Sequence, residues 1–209
     1  MNNSVTNTAR LLGAGLRALL VLTVVCGVLY PLAVTGVAQA LFNTKANGSE
    51  ITSGGKVVGS SLIGQQDYGL DYFQPRPANG LGENSVNTQY KLILSGATNR
   101  SGDNPELIAW VKEAKAEVVK DNSTADYKVR SSQVPADAVT SSGSGLDPDI
   151  SPAYADLQVH RVAERNGLSV ARVRQLVDRH TDGRTLGFMG EPRVNVLELN
   201  TALKELTKG

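Results

Sequence analysis

The residues whose types could support catalysis or metal binding are few: His160, His180, the lone Cys26, and Ser144 between two glycines. Gly143-Ser144-Gly145 runs into Asp147-Pro148-Asp149, a stretch that suggests either a cation loop or a nucleophilic serine. The calcium-loop spacing is absent, and no bidentate Glu follows at the required distance. Ser144 lacks the G-x-S-x-G frame, and neither histidine has a visible acid partner for a triad. The loop therefore reads as structural: glycines permit left-handed turns, and the Asp side chains hold the loop and the helix that follows. One thiol excludes an intrachain disulfide and cysteine-based zinc sites, and two histidines leave little for any metal. No Walker A loop occurs. Leu94-Ser95-Gly96-Ala97-Thr98 is loosely like the Ser-Gly signature of ABC transporters, but without a phosphate loop it carries little.

Basic residues offer two further candidates. Residues 157–180 have the form of a helix-turn-helix, with Arg172, Arg174 and Arg179 on the second helix. Two helices joined by glycine are also a common unit of any core. Arg193 stands in Gly190-Glu191-Pro192-Arg193-Val194-Asn195, a Gly/Pro-framed turn before a helix, where a guanidinium could fork onto a carboxylate. An internal pair with Glu191 or Asp147 is the alternative.

The elements that must position these residues begin with an anchor. Residues 18–42 read ALLVLTVVCGVLYPLAVTGVAQALF, without a charge. At about 1.5 Å per residue this run spans a hydrocarbon core of roughly 30 Å with some tilt. Its Leu, Val and Phe residues favour insertion by roughly 4 to 8 kcal/mol. A cleaved signal peptide is the rival, with Ala38-Gln39-Ala40 fitting the small-x-small rule, but the apolar run is longer than such sequences use. Arg10 and Arg17 precede the span with no acid beside them, while Lys45 and Lys56 follow it. The positive-inside rule then places a 1–17 leader in the cytoplasm and residues 43–209 outside. Pro31 should bend the span. Gly27, Gly36 and Ala40 offer small surfaces on which another helix could pack.

Without Arg10 and Arg17 the chain is nearly neutral, which argues against non-specific nucleic-acid binding. An outside compartment also holds no genome, so the basic helix is better read as contacting a protein partner or lipid headgroups. In the outer part, 57–63 reads as a strand with a Gly interruption, and 67–103 as long turns with short extended pieces. A helix should start at Pro105 with Asn104 as cap, burying Leu107, Ile108, Val111, Ala114 and Val118. Residues 121–133 read as polar linker, 134–140 as a short strand and 141–148 as a tight loop. Helices follow from Ser151-Pro152 to Asn166, stopped by Gly167; from Ser169, with Val170, Val173, Leu176 and Val177 inward; and from about Asn195 to Leu206. The expected fold class is α+β: one N-terminal transmembrane helix, 18–42, followed by a single mixed α+β extracytoplasmic domain.

Four segments, taken in order, resemble the C subunit of the Kdp-type high-affinity potassium-transporting ATPases. They are Gly59-Ser60-Ser61-Leu62-Ile63-Gly64-Gln65, Tyr72-Phe73-Gln74-Pro75-Arg76-Pro77, 134–152 (VPADAVTSSGSGLDPDISP) and 190–200 (GEPRVNVLELN). One stretch departs: the family usually carries Ser-Gly-Gly-Ser-Asn where this chain has Ser95-Gly96-Ala97-Thr98-Asn99. The resemblance implies a non-catalytic subunit of a bacterial inner-membrane pump. Its partners would be a channel-like potassium-binding subunit, a P-type ATPase subunit and a small single-span subunit. Members are described as catalytic chaperones that raise ATP affinity in the ATPase subunit, so ATP is implied by the resemblance alone. An exported domain sits badly with direct ATP contact, and coupling through packed elements is the physical route. Arg76, Ser144, Asp147, Arg193 and Asn195 are the candidates for a partner interface or for loop structure. A free-standing anchored binding or sensor protein is the other class that the sequence leaves open.

Protease added to intact spheroplasts is expected to digest the chain from about residue 44 onward, with the N-terminus retained in the mature protein. Protection there, or a mature terminus near Leu41, would overturn the anchor or its orientation.

Overall fold

The computed structural model describes residues 2–65, 68–77 and 95–208, and parts into two units, Met1–Glu50 and Ile51–Gly209. The first unit is helical. Helix α1 (Asn2–Val24) passes through a π-helical turn (Val25–Leu29) into α2 (Tyr30–Leu41), and a single turn, α3 (Asn43–Ala46), follows. Ser4–Leu41, 38 residues, is long and apolar enough to cross a membrane. Proline has no N–H, and its ring displaces the carbonyl four residues back, here that of Gly27. The π turn lies just upstream of Pro31, and there the Tyr30 N–H reaches Val25 O, five residues back. Past the helix end, Asn43 and Asn47 both donate to Gln39 Oε1, at 3.1 and 3.2 Å.

The second unit opens with a hairpin of β1 (Glu50–Ser53) and β2 (Lys56–Ser60). Its two-residue turn, Gly54-Gly55, has φ of 58° and 78°, the positive values that a type I′ turn demands. The strand expected over 57–63 ends at Ser60, where Ile63 N turns back to Ser60 O at 3.3 Å. Much of 67–103 lies outside the described residues; 68–77 and 95–103 contain neither helix nor strand.

Helix α4 (Pro105–Asn122) starts as its residues require: Asn104 Oδ1 accepts from Glu106 N and Leu107 N at 3.0 and 3.1 Å. Leu107, Val111, Ala114 and Val118 face inward, but Ile108 is 39 % exposed. It sits about 100° round from Leu107, off the stripe. The segment 121–133 is no mere linker. Asn122 and Val129 are buried, and Ser123 Oγ accepts from Val129 N at 3.1 Å while donating to Val119 O at 2.6 Å. The strand expected over 134–140 is instead a 3-10 turn, Ala136–Ala138, preceded by another at Ser131–Gln133. Pro135 cannot donate to a ladder. The Asp137 carboxylate turns toward Ser151, accepting its N–H at 2.7 Å and its hydroxyl at 3.0 Å.

After β3 (Asp149–Ile150) come α5 (Pro152–Asn166), α6 (Val170–Arg179), β4 (Thr181–Asp182), β5 (Arg193–Asn195) and α7 (Val196–Lys208). Ser151 and Ser169 cap α5 and α6, and Gly167 ends α5 at φ 64°. The strands form one antiparallel sheet, ordered β3-β5-β4, with Asp149 opposite Asn195 and Asp182 opposite Arg193. Val159, Val162, Val173, Val177, Val194, Leu199 and Leu203 fill the core between the helices and this sheet. The architecture is α+β.

A buried polar clamp runs through that core. The backbone of 70–74 pairs with side chains where a sheet would have used strands. Asn200 on α7 accepts from Phe73 N and donates to Phe73 O, both at 2.9 Å. Gln158 on α5 accepts from Gln74 N at 2.7 Å and donates to Gln74 O at 3.1 Å. Arg161 donates to Leu70 O, to Tyr72 O at 2.8 Å and to Asn122 Oδ1 at 2.8 Å. Asn166 donates to Asp71 O at 2.7 Å. Phe73 is thereby held wholly buried.

Asn200→Ala strands the Phe73 N–H and C=O together. It is expected to lower stability by about 2 to 4 kcal/mol, read as a lower melting temperature of the detergent-solubilised chain.

Candidate functional site

Parts of the four motif segments, distant in sequence, meet around Asp147-Pro148-Asp149. Gly64 N donates to Leu146 O at 2.8 Å, and a Cβ on Gly64 would stand 2.6 Å from Asp147 O, so only glycine fits this approach. Arg76 reaches from the other side, with Nη1 2.8 Å from Asp147 Oδ2 and Nη2 3.3 Å from Ser141 O. The second Asp147 oxygen accepts from Asp149 N at 3.0 Å. Ser144 Oγ accepts from Leu146 N at 3.1 Å, while its carbonyl accepts from Gly96 N at 2.8 Å. Asn195 does three things at once: it donates to Ser61 O at 2.9 Å and to Asp149 Oδ1 at 3.2 Å, and accepts from Glu198 N at 3.1 Å to start α7.

Arg193 closes this knot on its outer side. Its partners are Asp149 at 3.1 Å and Asp182 at 3.5 Å, not Glu191 or Asp147. The register explains the difference: β5 lies between β3 and β4, so residue 193 projects beside an acid from each neighbour. Glu191 pairs with Arg184 at 2.7 Å and Asp147 with Arg76. Half-exposed pairs of this kind contribute about 1 kcal/mol or less. Burial pushes the Asp149 carboxyl above the usual carboxylate range; Asp147 and Asp182 add to the rise, and Arg193 and Asn195 oppose it. Asp149 thus spends its charge within the domain at some electrostatic expense.

The histidines stand apart from Ser144. His160 stacks on Tyr127 with ring centroids 3.9 Å apart, and partial burial plus the Arg174 charge lower its pKa. His180 Nδ1 donates to Leu176 O at 2.9 Å. No nucleophile–base pair forms among these residues. The arginines of α6 do not make one basic strip either: at about 100° per residue, Arg172 and Arg179 fall on one flank of the buried stripe and Arg174 on the other.

Among the described residues a groove of about 740 Å³ lies between α4 and the 74–77 strap. Trp110, with Arg100 over its ring at 4.6 Å, marks one end, and Glu113, Glu117 and Asp121 line the helix side. Arg100 is itself paired with Glu106 at 2.6 Å. These residues do not suit a triphosphate: three carboxylates repel it, the nearby arginines are engaged, and Gly96 N is bonded to Ser144 O. In the helical unit Gly27, Gly36 and Ala40 lie exposed, with open space around Gly36, and Pro31 follows the π turn.

What fold and knot define together is a chain with a membrane-length helix among its described residues, followed by an α+β domain whose loops are held together by motif residues. Residues 12–205 match the family model described as K+-transporting ATPase, c chain. Relatives named potassium-transporting ATPase KdpC subunit are similar over most of their length. That of Streptomyces avermitilis is 77 % identical over 99 % of this chain and 98 % of the relative. That of Streptomyces coelicolor is 69 % identical over 99 % and 97 %, and that of Mycobacterium tuberculosis 45 % over 91 % and 96 %. The chain belongs to the KdpC family.

Sequence reasoning named Arg76, Ser144, Asp147, Arg193 and Asn195, and the structure brings all five to or beside one knot. It missed Gln158, Arg161 and Asn200. The signal was available: Tyr154, Leu157, Gln158, Arg161 and Val162 share the stripe spacing of three and four on α5, so two polar residues occupy apolar positions.

Because the folded Asp149 holds its proton to higher pH than the unfolded chain, its contribution to stability is fully present below the unfolded pKa. It declines as pH rises through the raised folded value. The Asp149→Asn variant is expected to gain melting temperature relative to wild type as pH rises above the ordinary aspartate pKa of about 4. A pH-independent difference would contradict this.

Proposed function

We propose that this protein is an accessory subunit of an ATP-driven potassium-uptake complex, anchored by residues 18–42 with residues 43–209 outside the cytoplasm. The observation that carries the reading is the match over 12–205 to the K+-transporting ATPase c chain. The geometry is compatible with it: motif residues hold Gly64, Asp147, Asp149 and Asn195 together, which yields a firm contact body. The orientation rests on Arg10 and Arg17 ahead of the span.

Its role in this reading is assembly. A domain fixed outside the membrane caps a channel-like potassium-binding subunit and favours some of its conformations over others. A P-type ATPase subunit and a small single-span subunit complete the complex, with Gly27, Gly36 and Ala40 offering close helix contacts in the lipid. A chaperone-like effect on ATP affinity then passes through packed helices as a coupling free energy, with no ATP touching this domain.

Mild detergent extraction of the tagged chain, followed by mass analysis of the intact assembly, is expected to recover large membrane proteins at fixed stoichiometry. Deleting the gene is expected to abolish high-affinity potassium uptake. A chain that purifies alone, and whose loss leaves uptake unchanged, would favour a free-standing binding or sensor protein.

A further inference from the structure

The segment between β4 and β5 carries large apolar side chains into water. Leu186 is 79 % exposed, Phe188 70 % and Met189 52 %. The tip is nonetheless ordered: Thr185 N donates to Met189 O at 2.8 Å, Met189 N to Thr185 O at 3.0 Å, and Gly187 N to Arg184 O at 3.0 Å. Its backbone is strained as well as exposed. Leu186 sits at φ 55°, a left-handed conformation that asparagine and glycine accept and a branched apolar residue resists. A leucine held there, facing solvent, carries two costs in the free domain that no described contact offsets. Clustered exposed apolar residues of this kind mark interaction surfaces.

The charges of the loop identify the occupant. Arg184 is paired with Glu191 at 2.7 Å, and Arg193 lies 3.5 Å from Asp182 and 3.1 Å from Asp149. An anionic lipid surface is recognised by uncompensated lysine and arginine beside the apolar wedge. Here the cations flanking the wedge are already neutralised, so the complement is electrically neutral and apolar, as in the recess of a protein surface.

We propose that Leu186, Phe188 and Met189 form an anchor that docks into an apolar recess on the outward face of a multi-span partner subunit. The inference rests on the accessory-subunit reading above. The tip acts as a central contact of a few rigid side chains on a short, internally bonded loop, so little ordering entropy is lost on docking.

Two measurements on the full-length chain in its native membrane test it. A photoreactive benzoylphenylalanine in place of Phe188 is expected to crosslink to a larger membrane protein. Adducts with lipid only, or with a second copy of this chain, would overturn the proposal. The Leu186→Asn variant, which removes the apolar group and suits the left-handed backbone, is expected to melt no lower than wild type. Its recovery of partner subunits should nevertheless fall about tenfold. Recovery equal to wild type, or a fall matched by loss of the folded domain with no crosslink from position 188, would sink it. If wild type itself recovers no partner, the accessory-subunit reading fails first and this inference with it.

Discussion

The guanidinium of Arg161 is buried among carbonyl and amide oxygens, with no carboxylate in ion-pair contact among the described residues. Burial brings its pKa down to about 10, so the group still carries its charge at neutral pH. A charge in that position is tolerable only while its acceptors stay in place: Leu70 O, Tyr72 O, Asn122 Oδ1 and Gln158 Oε1. Those groups come from three places: the 70–74 strap, the end of α4 and α5 itself. Displacing any one leaves an ill-solvated cation, which costs far more than the bond itself contributes. The end of α4, the middle of α5 and the 70–74 strap are therefore fixed together. Apolar packing in this core would tolerate sliding; the clamp does not.

The consequence propagates along the chain. Once Phe73 and Gln74 are pinned, Pro75 and Pro77 limit the backbone freedom around Arg76, which is delivered to Asp147. That contact orders the loop whose other end feeds β3, and β3 orients β5 and the start of α7. Parts of the four motif segments thus trace a continuous mechanical path through the domain. Rigid support on one side of the domain and a strained apolar tip on another are compatible with a subunit whose work is contact.

Much of this was legible in the sequence, and what was legible was local. Asn104-Pro105, Ser151-Pro152, Gly167 and Ser169 each declare a helix boundary through a hydrogen bond or a backbone angle that involves near neighbours only. Apart from Ile108, which lies off its own helix stripe, the main failures were long-range. Residues 134–140 have strand-like alternation, yet the Asp137 carboxylate is required by Ser151, fourteen positions away. Arg193 faces acids supplied by two strands whose pairing no local signal predicts. Gln158 and Arg161 stand at stripe positions of α5, but the strap that they hold lies far off in sequence, so their partners could not be read locally.

The π turn ahead of Pro31 has an effect beyond accommodating the ring. A widened turn holds one residue more than an ordinary one, so side chains beyond it are rotated by up to about 100° from where an unbroken helix would place them. Gly36, beyond the turn, then faces a direction that a helical wheel drawn on the sequence would misassign relative to residues before it. Any second helix that packed along this one would have to follow that change of face at the π turn.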